Sequence, residues 1–254
     1  MGNKIIRLVD NLLNLLIVVC FLPLFLFGVY AVWDSEQVYK QSDTTLYETY
    51  KPNSEDDLFF EELKKINPEV VGWLKVDQTH IDYPIVQSTN NSKYVNTNVK
   101  GEFSLAGSIF LDCKNRQDFS DMNNILYGHQ MKKHKMFGDL KFFSEESYFE
   151  KHKKGAVYYG DKWHEVEFFA FLYVDAYDSV IYNTGLESVD AQESYLSYVK
   201  THASNFRELA FQQNEHFITL STCSNINTNE RYVLIGRITE NSATNITIRK
   251  EILQ

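Results

Sequence analysis

The chain is predicted to be a mainly β protein with helices (α+β), a closed eight-stranded barrel with an N-terminal helix and a long helix ahead of the strand that ends in Cys223. Two observations predict this. From Val70 onward, eight short apolar runs rich in β-branched and aromatic residues are separated by turn residues. Two stretches with helical patterning interrupt that series. With 254 residues and 44% hydrophobic content, the chain can bury one substantial core and still carry accessory segments.

The first element is the apolar run from Leu12 to Trp33, interrupted mainly by Asn14, Pro23 and Gly28. About twenty apolar residues match a membrane span, whereas a cleaved signal peptide has a shorter apolar core, about 7 to 15 residues, and a small-residue cleavage site. Lys4 and Arg7 precede the run, and Asp34 and Glu36 follow it. That asymmetry predicts a single-pass anchor with a cytoplasmic N-terminus and the folded part on the outer face. Residues 1–33 are accordingly assigned to the tip and anchor.

Residues 34–69 are expected to form a stalk and a helix. The polar stretch Ser35 to Asn53 lacks a sustained apolar face, and Ser54 to Asp57 supplies a capping serine and an acidic first turn. Leu58, Phe59, Glu62, Leu63 and Ile66 follow at helical spacing, and Asn67-Pro68 closes the element. Residues 70–240 form the expected barrel and 241–254 a tail. Its strands are Val71–Val76, His80–Val86, Gly107–Leu111, Asn124–Tyr127, Ala156–Tyr159, Val166–Val174, His216–Thr222 and Arg231–Ile238, with helical insertions at Met136–His152 and Val189–Leu209. In the second insertion Tyr195, Leu196, Tyr198 and Val199 offer a packing face.

The net charge of −9, with no long basic run, excludes a phosphate-backbone partner, so no nucleic acid is expected to bind. Of three cysteines, Cys20 lies in the anchor, which leaves Cys113 and Cys223. A bridge between those two would block the best candidate nucleophile, so both are expected to stay reduced, with Cys113 a small, partly buried residue.

Chemistry concentrates in three places. Phe217-Ile218-Thr219-Leu220-Ser221-Thr222 ends a strand at Cys223, and period-two alternation puts Phe217, Thr219, Ser221 and Cys223 on one face. Arg231 opens the next strand, where a hairpin would bring its guanidinium beside Cys223 to stabilise a developing oxyanion. His129 follows Tyr127-Gly128, a glycine read as a turn out of the strand, and imidazole suits proton transfer. Each residue alone also fits a plain role: a buried thiol, a solvated arginine, one of seven histidines. Together they are the parts for acyl transfer through a thioester. His134 lies five residues beyond His129, and no His, Cys or carboxylate is read as completing a zinc pattern, so neither metal nor cofactor is expected.

Thr219-Leu220-Ser221-Thr222-Cys223, Leu126-Tyr127-Gly128-His129 and Arg231 resemble, in order and spacing, the cysteine, histidine and arginine elements of the sortases, membrane-anchored cysteine transpeptidases of Gram-positive surfaces. The resemblance runs from about Val70 to Ile238. Ile81-Asp82-Tyr83-Pro84-Ile85-Val86-Gln87, Gly107-Ser108-Ile109-Phe110-Leu111-Asp112 and the two helices are similar to class B. It implies a ping-pong reaction. Cys223 attacks a threonyl carbonyl in a C-terminal sorting signal, and an amine of lipid II or of a pilin lysine resolves the thioacyl enzyme. By the same similarity Asn91, Ile181, Tyr182 and Ser221 line the substrate groove. A cysteine peptidase resolving the thioester with water, and a tethered barrel that only binds a surface protein, stay open as alternatives.

Overall fold

The computed structural model describes residues 2–52, 58–223 and 229–239, with Cys223 described by its backbone. The chain divides into two units, Met1–Lys40 and Gln41–Gln254. The first unit is almost all of helix α1 (Gly2–Gln41), which contains Pro23 and is long and apolar enough to cross a membrane. At 1.5 Å per residue its 40 residues extend about 60 Å. The helix continues through Gln41, about a third of the stretch expected to be a polar stalk, and two 3-10 turns follow at Thr44–Leu46 and Glu48–Tyr50. The proposed capping residues Ser54 to Asp57 lie outside the described residues.

In the second unit, helix α2 (Leu58–Ile66) buries Phe60 and Leu63 against Trp73, Tyr94 and Tyr158, and Asn67-Pro68 stops it. Strands β1 (Val70–Val76), β2 (Asp82–Val86), β3 (Ile109–Leu111) and β4 (Asn123–His129) follow. Helix α3 (Glu146–Lys151), β5 (Lys154–Tyr159) and β6 (Lys162–Asp175) come next. The chain then forms α4 (Val189–His202), β7 (Asn205–Phe206), β8 (His216–Cys223) and β9 (Glu230–Thr239). The order β5-β1-β2-β3-β4-β8-β9-β6 closes because β6 also pairs with β5, and two-residue β7 hangs on β6. The eight-stranded closed barrel expected from the sequence is the fold observed.

Alternation explains the two sides of the wall. Leu126, Ile218, Leu220 and Leu234 point into the barrel with Leu74, Ile85 and Phe168. Phe217, Val233 and Ile235 face outward and are covered by Tyr195 and Val199 of α4. Ser188 caps α4 by accepting from the Ala191 N–H at 3.1 Å.

Several boundaries differ from the sequence reading; β3 and β6 begin at Ile109 and Lys162 where Gly107 and Val166 were expected. The strand expected from His80 begins at Asp82, because the His80 N–H bonds Asp139 Oδ2 (2.9 Å) instead of a ladder partner. Met136–His152 is no continuous helix but a 3-10 segment, Leu140–Ser144, followed by α3. The helix expected to reach Leu209 ends at His202. Asn205 and Phe206 pair with Phe171 and Ala170 of β6, and Asn205 Nδ2 donates to the Phe143 and Ser144 carbonyls, so tertiary bonds override helical patterning.

Candidate active site

Three neighbouring strands carry the three candidate residues. β4 runs parallel to β8 over seven residue pairs, and the last pair in that register is His129 with Cys223. β8 and β9 are antiparallel with Ser221 opposite Val233; continuing that register by two residues sets Arg231 across from Cys223. Imidazole and guanidinium residues thus flank the Cys223 backbone in one row. Parity places Arg231 on the outward side with Val233, and His129 on the side of Tyr127.

The imidazole is fixed by the backbone. His129 Nε2 lies 2.8 Å from the Val95 carbonyl, which can only accept, so Nε2 carries the proton and a neutral ring presents its lone pair at Nδ1. Val95 ends the 3-10 turn Lys93–Val95, held by Glu69, which accepts from Lys93 Nζ and from the Tyr94 hydroxyl, both at 2.5 Å. Gly128, read from sequence as a turn, is instead a residue within β4. A Cβ there would lie 2.9 Å from Phe137 Cδ2, so the missing side chain admits Phe137 against the strand.

Arg231 is partly buried, and its Nη1 is enclosed with no hydrogen-bond partner among the described residues. Enclosed donors ordinarily have an acceptor, so this one is suited to a substrate oxygen.

The residues expected in the groove form one connected wall. Asn91 Nδ2 donates to Asp112 Oδ2 (2.9 Å), and Asn91 Oδ1 accepts from the Cys113 N–H (2.8 Å). The same Asp112 oxygen accepts from the Tyr127 hydroxyl at 3.0 Å. The Tyr127 ring stacks on Tyr182 with centroids 6.1 Å apart, and the Tyr182 hydroxyl is 2.9 Å from Ser221 Oγ. Ile181 and Ser221 differ: both are fully buried beneath this wall, Ile181 giving its carbonyl to Asn123 Nδ2 and Ser221 meeting the Tyr182 hydroxyl, so neither presents its side chain to a groove. Asp112, Tyr127 and the Val95 carbonyl were missed in sequence. The Gly107-to-Asp112 segment pointed at the first, while nothing in residue identity marks a backbone carbonyl as a histidine anchor. Cys113 is free and half-buried, as expected.

One further expectation is corrected. His134 does have polar partners: His80, from the turn between β1 and β2, and buried Asp139, with potential ligand atoms within 4.8 Å of one another. His80 is distant in sequence, and the Asp139 five residues after His134 was overlooked.

The sortase domain model matches residues 74–239. Sortase B of Listeria monocytogenes is 38% identical over 162 residues, covering 64% of this chain and 65% of that protein. Sortase B of Staphylococcus aureus is 30% identical over 183 residues, covering 70% of this chain and 74% of the other. Among solved structures, a Streptococcus pyogenes class B sortase involved in pilus biogenesis is similar at a TM-score of 0.65 and 38% identity, over 70% of this chain and 97% of that one. The match of the sortase domain model over residues 74–239, with these relatives and the closed barrel, places the chain in the sortase family of cysteine transpeptidases, within class B.

Proposed function

We propose that the protein is a membrane-tethered transpeptidase that cleaves a C-terminal sorting signal after a threonine and transfers the shortened protein to an amine. The observation that carries this is the row formed by His129, Cys223 and Arg231 on three adjacent strands. Cys223 attacks the threonyl carbonyl as the thiolate, and the Arg231 guanidinium donates to the oxygen that becomes negative. Imidazolium His129, anchored at Nε2, gives its Nδ1 proton to the departing amine, and the thioester forms as the peptide bond breaks. The incoming amine loses a proton to the same nitrogen as it displaces the Cys223 thiolate, which restores the starting pair. Asn91 and Tyr182 line the groove, and Ser221 and Ile181 support it from beneath.

The acceptor is the cross-bridge amine of lipid II or a lysine of a pilin, and the donor a surface protein or pilin bearing the sorting signal. Residues 1–33 form the cytoplasmic tip and anchor, 34–69 the stalk and first helix, 70–240 the catalytic barrel on the extracellular face, and 241–254 a tail. The test is incubation of the protein with sorting peptides and both amine classes, followed by mass spectrometry of enzyme and product. A thioacyl adduct at Cys223 that moves to an amine supports the proposal. Water as the only acceptor would make the protein a cysteine peptidase. Binding unchanged in Cys223→Ala with no adduct would make it a tethered binder.

A further inference from the structure

We propose that His80, His134 and Asp139 form a binding site for a zinc-class divalent cation, which staples the loop leaving His129 to the turn between β1 and β2. The site lies outside the proposed catalytic row. His80 Nδ1 is 3.0 Å from Asp139 Oδ2 and His134 Nδ1 is 2.5 Å from Asp139 Oδ1, so one carboxylate already gathers both rings. The rings tilt toward one another with centroids 4.6 Å apart, and Phe142 backs His134 at 5.5 Å.

Exposure favours a cation rather than a purely structural cluster. The Asp139 side chain is 1% exposed and sits at the base, whereas those of His80 and His134 are 65% and 48% exposed and open to solvent.

Two ligands at about 2.1 Å from one ion are at most about 4.2 Å apart. The three candidate atoms lie within 4.8 Å of one another, so a small rotation of the exposed rings closes the set. Neutral imidazole binds without net proton release once the Nδ1 proton is exchanged to Nε2 through solvent. Two nitrogens and one carboxylate select zinc-like ions over calcium or magnesium, which require oxygen-rich cages. Lys132 and Lys133 in the same loop repel any cation, so nitrogen coordination rather than net charge has to supply the affinity.

The consequence reaches His129 through the backbone. Gln130 bridges Met136, and the Phe137 N–H donates to the His129 carbonyl at 2.9 Å, so the loop bearing His134 folds directly onto the residue proposed as acid and base. Lys133, His134 and Met136 all have positive φ, at 57°, 59° and 52°, so the loop holds His134 in place with unfavourable backbone geometry.

The test titrates the full chain in detergent with Co2+, then displaces it with Zn2+, in a Cys223→Ala background that removes the thiol of the proposed nucleophile. Expected is one equivalent of Co2+ with visible d–d bands and no thiolate charge-transfer band. His80→Gln/His134→Gln should weaken binding by more than about tenfold. Because both replaced side chains hydrogen-bond buried Asp139, the metal-free Tm of the double variant should fall by a few degrees, and binding is compared well below both transitions. Asp139→Asn serves as a second variant that keeps an oxygen ligand but loses the charge, and it should weaken binding less than the double variant does. No binding beyond that of the double variant, a thiolate band, or binding unchanged in H80Q/H134Q would each overturn the site.

Discussion

Gly107→Ala is the most informative single perturbation, because it acts on the support of the imidazole without touching the three proposed catalytic residues. Gly107 has φ of +61°, and a Cβ added there would lie 2.5 Å from the Val95 carbonyl oxygen and 2.6 Å from that of Tyr94. The first of these oxygens anchors His129 Nε2. Placing alanine in left-handed backbone costs about 1–2 kcal/mol. Relieving two contacts this short adds about 1–3 kcal/mol, as other overpacked sites do. The total, roughly 2–5 kcal/mol, corresponds to a Tm lower by about 10 °C for a domain of this size. A shift of the Val95 carbonyl also releases the imidazole, and misplacing a catalytic group by about 1 Å can cost on the order of a hundredfold in rate. The assay pairs thermal unfolding with the rate of Cys223 alkylation and of single-turnover acylation. Gly101→Ala is the control: its φ of +86° demands the same backbone region, but its added Cβ meets nothing within 4 Å. It should lose only the backbone increment and react at the parent rate. If Gly107→Ala matched Gly101→Ala in both stability and acylation, the coupling of this turn to His129 would be refuted.

Other perturbations test separate contacts. Arg231→Lys keeps the charge but loses the planar fork; acylation should fall by about a hundredfold or more with unchanged Tm, and a parent-like rate would remove Arg231 from oxyanion stabilisation. Tyr182→Phe deletes the bond to Ser221 Oγ, which should cost about 1 kcal/mol in urea unfolding and raise KM for a sorting peptide more than it lowers kcat. Glu69→Gln probes pH dependence. Burial raises the Glu69 carboxyl, yet Lys93, Tyr94 and Ser88 together hold it below the usual glutamate range, so its contribution is complete above about pH 4.3 and lost as pH falls through the lower folded value. Both partners are partly exposed and screened, so Glu69→Gln should lower the Tm by only a few degrees at neutral pH, corresponding to about 1 kcal/mol or less, with the gap closing below about pH 4. A gap that widened on acidification would show that the sign is wrong.

How much could be read in advance depended on the range of the interaction. Period-two alternation is local, so the eight barrel strands, and the shared face of Phe217, Thr219 and Ser221, were legible from residue type alone, while the structure shows that this face points outward. Helix ends were not. The stop at His202 and the break-up of Met136–His152 depend on Asn205 bonding two carbonyls more than sixty positions upstream, which local patterning cannot report. In the site, Cys223 and Arg231 are near neighbours in the chain and a hairpin sufficed to pair them. The parallel pairing of β4 with β8 joins residues 94 positions apart, His129 and Cys223, and only the ordered motifs made it visible. Least legible were parts that no side-chain identity encodes: the Val95 carbonyl that selects the His129 tautomer, and the turn that carries His80 to Asp139. Residue type therefore names which groups react, whereas the backbone decides which imidazole nitrogen faces the reaction, and substitutions at Arg231 and Gly107 separate those two contributions.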